Sequence, residues 1–265
     1  MALQIGYQPR GYVNYAQETG SHFSLDLVLR EVSLAGFVGL EIGGQWGLGT
    51  PEECRETLAR YGLRLTALPV VLGQEVDWEG VLAKARFLEA LGARQMMVCG
   101  GFWREEGRKP TPEELRAFAR TCEDLACRVA DHGVRAGFHN HLGSLVERED
   151  ELDFFLEETE AMGYYPDLGH ARAAGWDPLP SLRRHGARIV GAHLKDVLLD
   201  PVTGAFRRFV ELGKGNAGLD LGACLKELER HLDGWAFVEQ DHTSFNPGLD
   251  ALENYRYLMA RGYLP

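Results

Sequence analysis

Seven times along this chain a stretch that reads as helix stops at a glycine and gives way to a short apolar run. The glycines are Gly36, Gly62, Gly92, Gly133, Gly163, Gly186 and Gly234. Glycine enters the left-handed region without a Cβ clash, so it commonly ends a helix. Helix, glycine and buried strand then form one recurring unit. The runs include Phe37 to Ile42, Leu63 to Val70, Ala93 to Cys99 and Ala187 to Leu194, and the opening run Leu3 to Tyr7 brings the count to about eight strands. Successive glycines lie 26, 30, 41, 30, 23 and 48 residues apart, a spacing that suits βα units with loop insertions but is too uneven for a solenoid. An open doubly wound sheet shares this alternation; the strand count favours a closed (β/α)8 barrel, a TIM barrel with its active site at the C-terminal ends of the strands.

Strands and helices separate by pattern. Met96 to Cys99 and Ile189 to Ala192 are unbroken by polar residues, as expected of parallel strands covered on both faces. From Glu113 to Ala130 the positions Leu115, Phe118, Ala119, Cys122, Leu125, Ala126 and Val129 make one helical stripe, opened by Thr111 as N-cap and Pro112 in the first turn. Thr50 and Pro51 open a helix through Tyr61 in the same way.

Composition fits one domain over residues 1–265, with 45% hydrophobic and 25% charged residues. The loop-like segments Gly43 to Gly49, Gly100 to Pro110 and Asp200 to Gly218 all follow expected strands, so they read as active-face loops rather than linkers. A net charge of -11 argues against nucleic acid, which calls for a positive surface. No apolar run approaches the roughly 20 residues of a membrane span, and the start lacks a leader pattern, so a cytoplasmic protein is expected. Five cysteines without metal-type pairing agree with a reducing compartment, most of them as buried small apolar residues. The aromatic-rich loops and Phe245-Asn246-Pro247 are candidate contacts for a homo-oligomer.

The chemistry gathers at the ends of the later runs: His139-Asn140-His141, Asp167-Leu168-Gly169-His170, His193-Leu194-Lys195-Asp196 and Glu239-Gln240-Asp241. In a parallel barrel these ends share one rim. Carboxylate oxygen and imidazole nitrogen together suit a hard or borderline divalent ion, which makes Asp167, His193 and Glu239 candidate ligands. Taken singly, Asp167 after Pro166 also reads as a cap and His193 as a hydrogen-bonded strand-end group. His139 and His141 share a face by alternation, one suited to metal and the other to proton transfer. Lys195 shares the face of His193 and is placed to hold a substrate oxygen, while His170 is placed to contact a ligand. Glu41 and Trp103 read either as pocket lining or as ordinary core groups.

These motifs, with Glu211-Leu212-Gly213-Lys214-Gly215, resemble the xylose isomerase-like TIM barrels of the sugar phosphate isomerase/epimerase superfamily, and most of all their inosose dehydratase branch. The resemblance runs over nearly the whole chain. It implies a divalent cation, Mn2+ or Co2+ first and Mg2+ or Zn2+ next, held by four strand-end side chains, of which Asp167, His193 and Glu239 match three. Many relatives carry a glutamate two residues before a catalytic histidine; here that slot holds His139, and His141 matches the histidine. Glu147 is expected to supply the fourth ligand, with His139 as the alternative and a plain helix start as the ordinary reading of Glu147.

A cation that chelates a ketone oxygen and the neighbouring hydroxyl acidifies the hydrogen between them and stabilises the enediolate. Return of the proton gives isomerisation or epimerisation, and loss of a β-hydroxyl gives dehydration. The expected activity is therefore a lyase or isomerase acting on a polyhydroxy ketone, inosose-like first, with His141 and His170 as the acid/base pair. Two other classes stay open: an abasic-site endonuclease-like hydrolase, disfavoured by the acidic composition, and a barrel that binds a sugar without catalysis.

Overall fold

The computed structural model describes residues 3–43, 46–101, 103–105, 108–243 and 245–265. Within the loops 43–49 and 100–110 read as active-face segments, residues 44–45, 102 and 106–107 lie outside the described set. In chain order the strands are β1 (Gln4–Gln8), β2 (Gly39–Glu41), β3 (Arg64–Leu72), β4 (Gln95–Gly100), β5 (Arg135–Phe138), β6 (Gly163–Tyr164), β7 (Ala192–Leu194), β8 (Asp196–Leu199), β9 (Phe206–Val210) and β10 (Trp235–Glu239). Eight of them pair in parallel in the order β6-β5-β4-β3-β2-β1-β10-β7. The ring closes between β6 and β7, just outside the regular ladder, through bridges Tyr164 to Ile189 and Asp167 to His193. Val190 N–H donates to Tyr164 O at 2.9 Å and His193 N–H to Pro166 O at 2.8 Å. The fold is a (β/α)8 TIM barrel, as the count of runs predicts.

The helices are α1 (Arg10–Thr19), α2 (Leu25–Ala35), α3 (Pro51–Ala59), α4 (Trp78–Leu91), α5 (Pro112–Ala130), α6 (Glu149–Glu157), α7 (Leu168–Ala173), α8 (Pro178–Arg184), α9 (Leu221–His231) and α10 (Pro247–Met259). α3 and α5 both begin with a capping box, Thr50 with Glu53 and Thr111 with Glu114, each followed by proline. The buried residues of α5 are the seven of the stripe read from sequence. None of the described helices is long and apolar enough to cross a membrane.

Three readings change on folding. Gly36, Gly62, Gly92 and Gly133 do have positive φ, but Gly163, Gly186 and Gly234 do not. Their reason is close approach: a Cβ on Gly163, which opens β6, would lie 2.6 Å from Val190 Cγ1. The run Ala187 to Leu194 is not one strand; a 3-10 turn over Gly186–Arg188 precedes the short β7. Segment 200–218 holds β9, which pairs antiparallel with β8 as a hairpin set outside the barrel ladder.

Two apolar layers position the site. A large cluster joins the helices to the outer faces of the strands. A smaller one, Ala67, Met97, Cys99, Tyr165, Val190 and Phe237, fills the barrel interior. On β10, Phe237 belongs to that plug, and Glu239, two residues on, emerges above it on the same face.

Candidate active site

A cavity of about 570 Å³ opens over the plug, lined among others by Trp103, His139, His141, His170, Phe209, Glu239 and Asp241. The size is ordinary for a small-molecule site. Every strand end singled out from the sequence reaches this region.

β5 delivers His139 and His141 to one side, their ring centroids 5.8 Å apart. Asn140 turns away and binds the backbone of Asp167 from both directions: its Nδ2 donates to Asp167 O at 3.1 Å and its Oδ1 accepts Asp167 N–H at 3.0 Å. Asp167 Oδ1 caps α7 by accepting His170 N–H at 2.6 Å, which leaves Oδ2 facing inward. The cap reading and the ligand reading thus use different oxygens of one carboxylate.

Across the closing seam, His193 Nδ1 lies 3.6 Å from Asp167 Oδ2 and 2.9 Å from Glu239 Oε2. His139 Nε2 lies 3.9 Å from the same Asp167 oxygen. One ligand-type atom each from His139, Asp167 and His193 falls within 4.8 Å of the others, and a second such group joins His139, His141 and His170. Among the described residues, Asp167 Oδ2, His139 Nδ1 and His193 Nδ1 are buried polar atoms without a hydrogen-bond partner. Asp167 Oδ2 has the Lys195 ammonium and His193 Nδ1 the Glu239 carboxylate as a charged neighbour, and the imidazole nitrogens and carboxylate oxygens gathered here form a donor set that fits a divalent cation.

Glu147, expected as the fourth ligand, stands apart from these groups. Its Oε2 accepts the Gly143 N–H at 2.6 Å, tightening the loop after β5, and its own N–H donates to Glu151. His139 is the residue found beside Asp167 and His193.

Lys195 is 1% exposed, with its ammonium 2.7 Å from Glu239 Oε2, 2.7 Å from Asp241 Oδ2 and 3.2 Å from Asp167 Oδ2. Its neighbour Asp196 points elsewhere and accepts N–H groups from Val197, Gly213 and Gly215. Burial opposes ionisation of Asp167, but Lys195 first and then His193 and His139 outweigh it and bring the carboxyl down to about 2. Glu239 is also held well below the usual carboxylate range, against burial, by Lys195 and His193. Burial also works against the Lys195 charge, and the three carboxylates around it overcome that and raise its pKa.

The acid/base candidates are in a different state. His170 stacks on His141 with centroids 3.7 Å apart, and its Nε2 is 3.2 Å from Lys195 Nζ. Burial, reinforced by the Lys195 charge, pushes both imidazoles below their ordinary value, so both are neutral near pH 7. His141 Nδ1 bonds Leu142 O at 2.8 Å, which leaves Nε2 as its free nitrogen. Trp103 is 59% exposed and meets His141 edge to face, forming part of the rim.

Sequence reading gave no role to three residues of the site. Asp241 follows Glu239 by two positions, and strand alternation is the signal that marks it. Phe209 arrives from the β8–β9 hairpin to lie against Lys195 Nζ at 4.6 Å and His170 at 4.8 Å; nothing local announces this. Tyr165 reads as plug, yet its hydroxyl donates to Glu41 at 2.5 Å. Glu41 itself lies beneath His193 rather than along the cavity wall.

A β/α barrel with a polar, cation-ready rim defines a class, and comparison of the sequence makes it specific. The family profile for the xylose isomerase-like TIM barrel matches residues 29–261, and the chain belongs to that family. It is an enzyme, 32% identical to the rhizopine catabolism protein MocC of Rhizobium meliloti over 93% of this chain and 85% of that protein. It is 27% identical to the inosose dehydratase of Clostridium botulinum (strain Alaska E43 / Type E3), covering 97% of this chain and 96% of the relative. Among solved structures, the probable 3-DHS dehydratase AsbF of Bacillus anthracis superposes with a TM-score of 0.76 at 15% identity, over 97% of this chain and 99% of that one. The IolI protein, whose structure carries a zinc atom, superposes at 0.71 and 18% identity, over 97% of each chain.

Proposed function

We propose that this chain is a divalent-metal-dependent lyase or isomerase acting on a polyhydroxy ketone, with an inosose-like cyclitol as first choice of substrate. The observation that carries the reading is the convergence of ligand-type atoms from His139, Asp167 and His193, with Glu239 beside them. The inosose dehydratases among the relatives support the substrate class, and the zinc in the IolI structure supports the cation.

In this proposal His139, Asp167, His193 and Glu239 hold the ion. When bound it polarises a ketone oxygen and makes the hydrogen on the neighbouring carbon more acidic. His141 and His170, neutral and stacked at the cavity wall, move protons: one takes the hydrogen next to the carbonyl, the other protonates the neighbouring carbon or a departing hydroxyl. Lys195 keeps Asp167 and Glu239 ionised and holds them in place, within reach of His170. Phe209 and Trp103 present apolar faces to the C–H side of a ring.

The test is to identify the metal in purified protein and then to incubate inososes and ketoses in D2O. Deuterium at the carbon next to the carbonyl, lost on chelation and restored by Mn2+, Co2+ or Zn2+, is the expected result. A metal-loaded sample that exchanges no hydrogen with any of these ketones overturns the proposal.

A further inference from the structure

We propose that Glu41, braced by Tyr165, is a positioning residue for the metal site: its carboxylate takes the Nε2–H of His193 and thereby turns the lone pair of Nδ1 toward Asp167 and Glu239. The inference rests on the proposed metal-binding role of His193 and goes beyond it.

Glu41 ends β2 and His193 lies on β7, 152 residues later; both side chains are completely buried. A buried carboxylate without a countercharge is costly, so the groups that share its pocket state its purpose. Among the described residues no Lys or Arg forms an ion pair with it. Oε1 faces His193 Nε2 at 2.8 Å, and Oε2 accepts the Tyr165 hydroxyl at 2.5 Å. The Tyr165 hydroxyl can only donate here, because burial and the adjacent carboxylate hold its proton on. Both oxygens are therefore occupied along fixed directions.

A neutral imidazole has one N–H to place. Both nitrogens face carboxylates, Nε2 that of Glu41 at 2.8 Å and Nδ1 that of Glu239 at 2.9 Å, so without an ion the two compete for that proton; a cation held beside Asp167 and Glu239 takes Nδ1, and the N–H is then placed on Nε2 toward Glu41. Nδ1, which lies 3.6 Å from Asp167 Oδ2 and 2.9 Å from Glu239 Oε2, is thus the nitrogen that offers its lone pair to the ion these carboxylates share. A carboxylate behind a ligating histidine orients the ring and raises its basicity, and its loss typically costs about 10–100-fold in metal affinity. The competing view is that Glu41 is only a core acid that solvates the ring.

The experiment is calorimetric titration of the metal-stripped full chain with Zn2+, alongside thermal unfolding of the same samples. Wild type is expected to bind Zn2+, Glu41→Gln to bind it about 10–100-fold more weakly while remaining folded, and Tyr165→Phe to lose a smaller factor. A folded Glu41→Gln that binds Zn2+ within twofold of wild type overturns the inference. A wild type that binds no Zn2+ overturns instead the metal reading beneath it. A second measurement needs no variant: 15N spectra of the zinc-loaded wild type, with His193 assigned through its contact with Tyr165, should show zinc on Nδ1 and a slowly exchanging proton on Nε2. Zinc on Nε2 overturns the inference whatever the variants do.

Discussion

Asn140 and Asp167 grip each other through two hydrogen bonds, amide to main chain, across 27 residues of sequence. This clamp joins the end of β5 to the turn after β6 and sets where the Asp167 carboxylate points. Asn140→Ala leaves the buried Asp167 N–H unpaired, at about 1–3 kcal/mol, while the Asp167 C=O keeps its bond from Ala171 N–H at 3.2 Å. We predict a loss of about 1–3 kcal/mol in unfolding free energy by urea denaturation, together with weaker metal binding.

His139 and Glu147 make opposite predictions about the ion. Glu147 is tied to the Gly143 N–H, whereas His139 sits beside Asp167 and His193. Purified Glu147→Gln should keep wild-type metal content by elemental analysis, and His139→Ala should lose most of it. The reverse pattern restores Glu147 as the fourth ligand.

His141 lies at the cavity wall with Nε2 free. His141→Ala should retain the metal while turnover falls by about 10²-fold or more, the usual cost of losing a general acid or base. Metal content and kcat measured on one preparation separate this outcome from a ligand role, in which both would fall.

Lys195 sets one buried positive charge among three carboxylates. Lys195→Met strands them, and removing one partner of a buried pair typically costs about 3–5 kcal/mol. We expect a loss of that order in chelator. Zn2+ should recover part of it by supplying positive charge beside Asp167 and Glu239, so the thermal midpoint should respond more to zinc in the variant than in wild type.

Asp250 on α10 gives a pH signature away from the catalytic groups. Burial raises its carboxyl to about 6, with Glu211 adding to the effect and Thr243 opposing it; Gln240 Nε2 reaches its Oδ2 at 3.1 Å. The folded state holds this proton more tightly than the unfolded chain, so the contribution is present at low pH and disappears as pH rises through about 6. Asp250→Asn should match wild type near pH 4 and exceed it near pH 7 by about 1–2 kcal/mol, after allowance for solvent screening. Paired urea curves at the two pH values check the sign.

Much of the barrel is legible in local patterning. The continuous runs, the α5 stripe and the Thr-Pro helix starts are consequences of near-neighbour chemistry, and Asp167, His193, Lys195 and Glu239 stand out because side chains at strand ends must share a rim. Less legible is why a glycine stands where it does. Gly36 and Gly163 look alike in the sequence, but one turns the chain through positive φ and the other makes room for Val190.

The chain by itself determined the alternation of helix and strand, and with it which residues reach the C-terminal face. Only the tertiary structure decided how those residues meet. Closure of β6 on β7 brings Asp167 opposite His193, the barrel interior sets Glu41 behind the same imidazole, and a hairpin outside the ladder carries Phe209 to Lys195. The physical reason is range. Periodicity encodes the face a side chain occupies within its own element, while partners 152 residues apart are chosen by the register of the closed sheet and the packing of its interior.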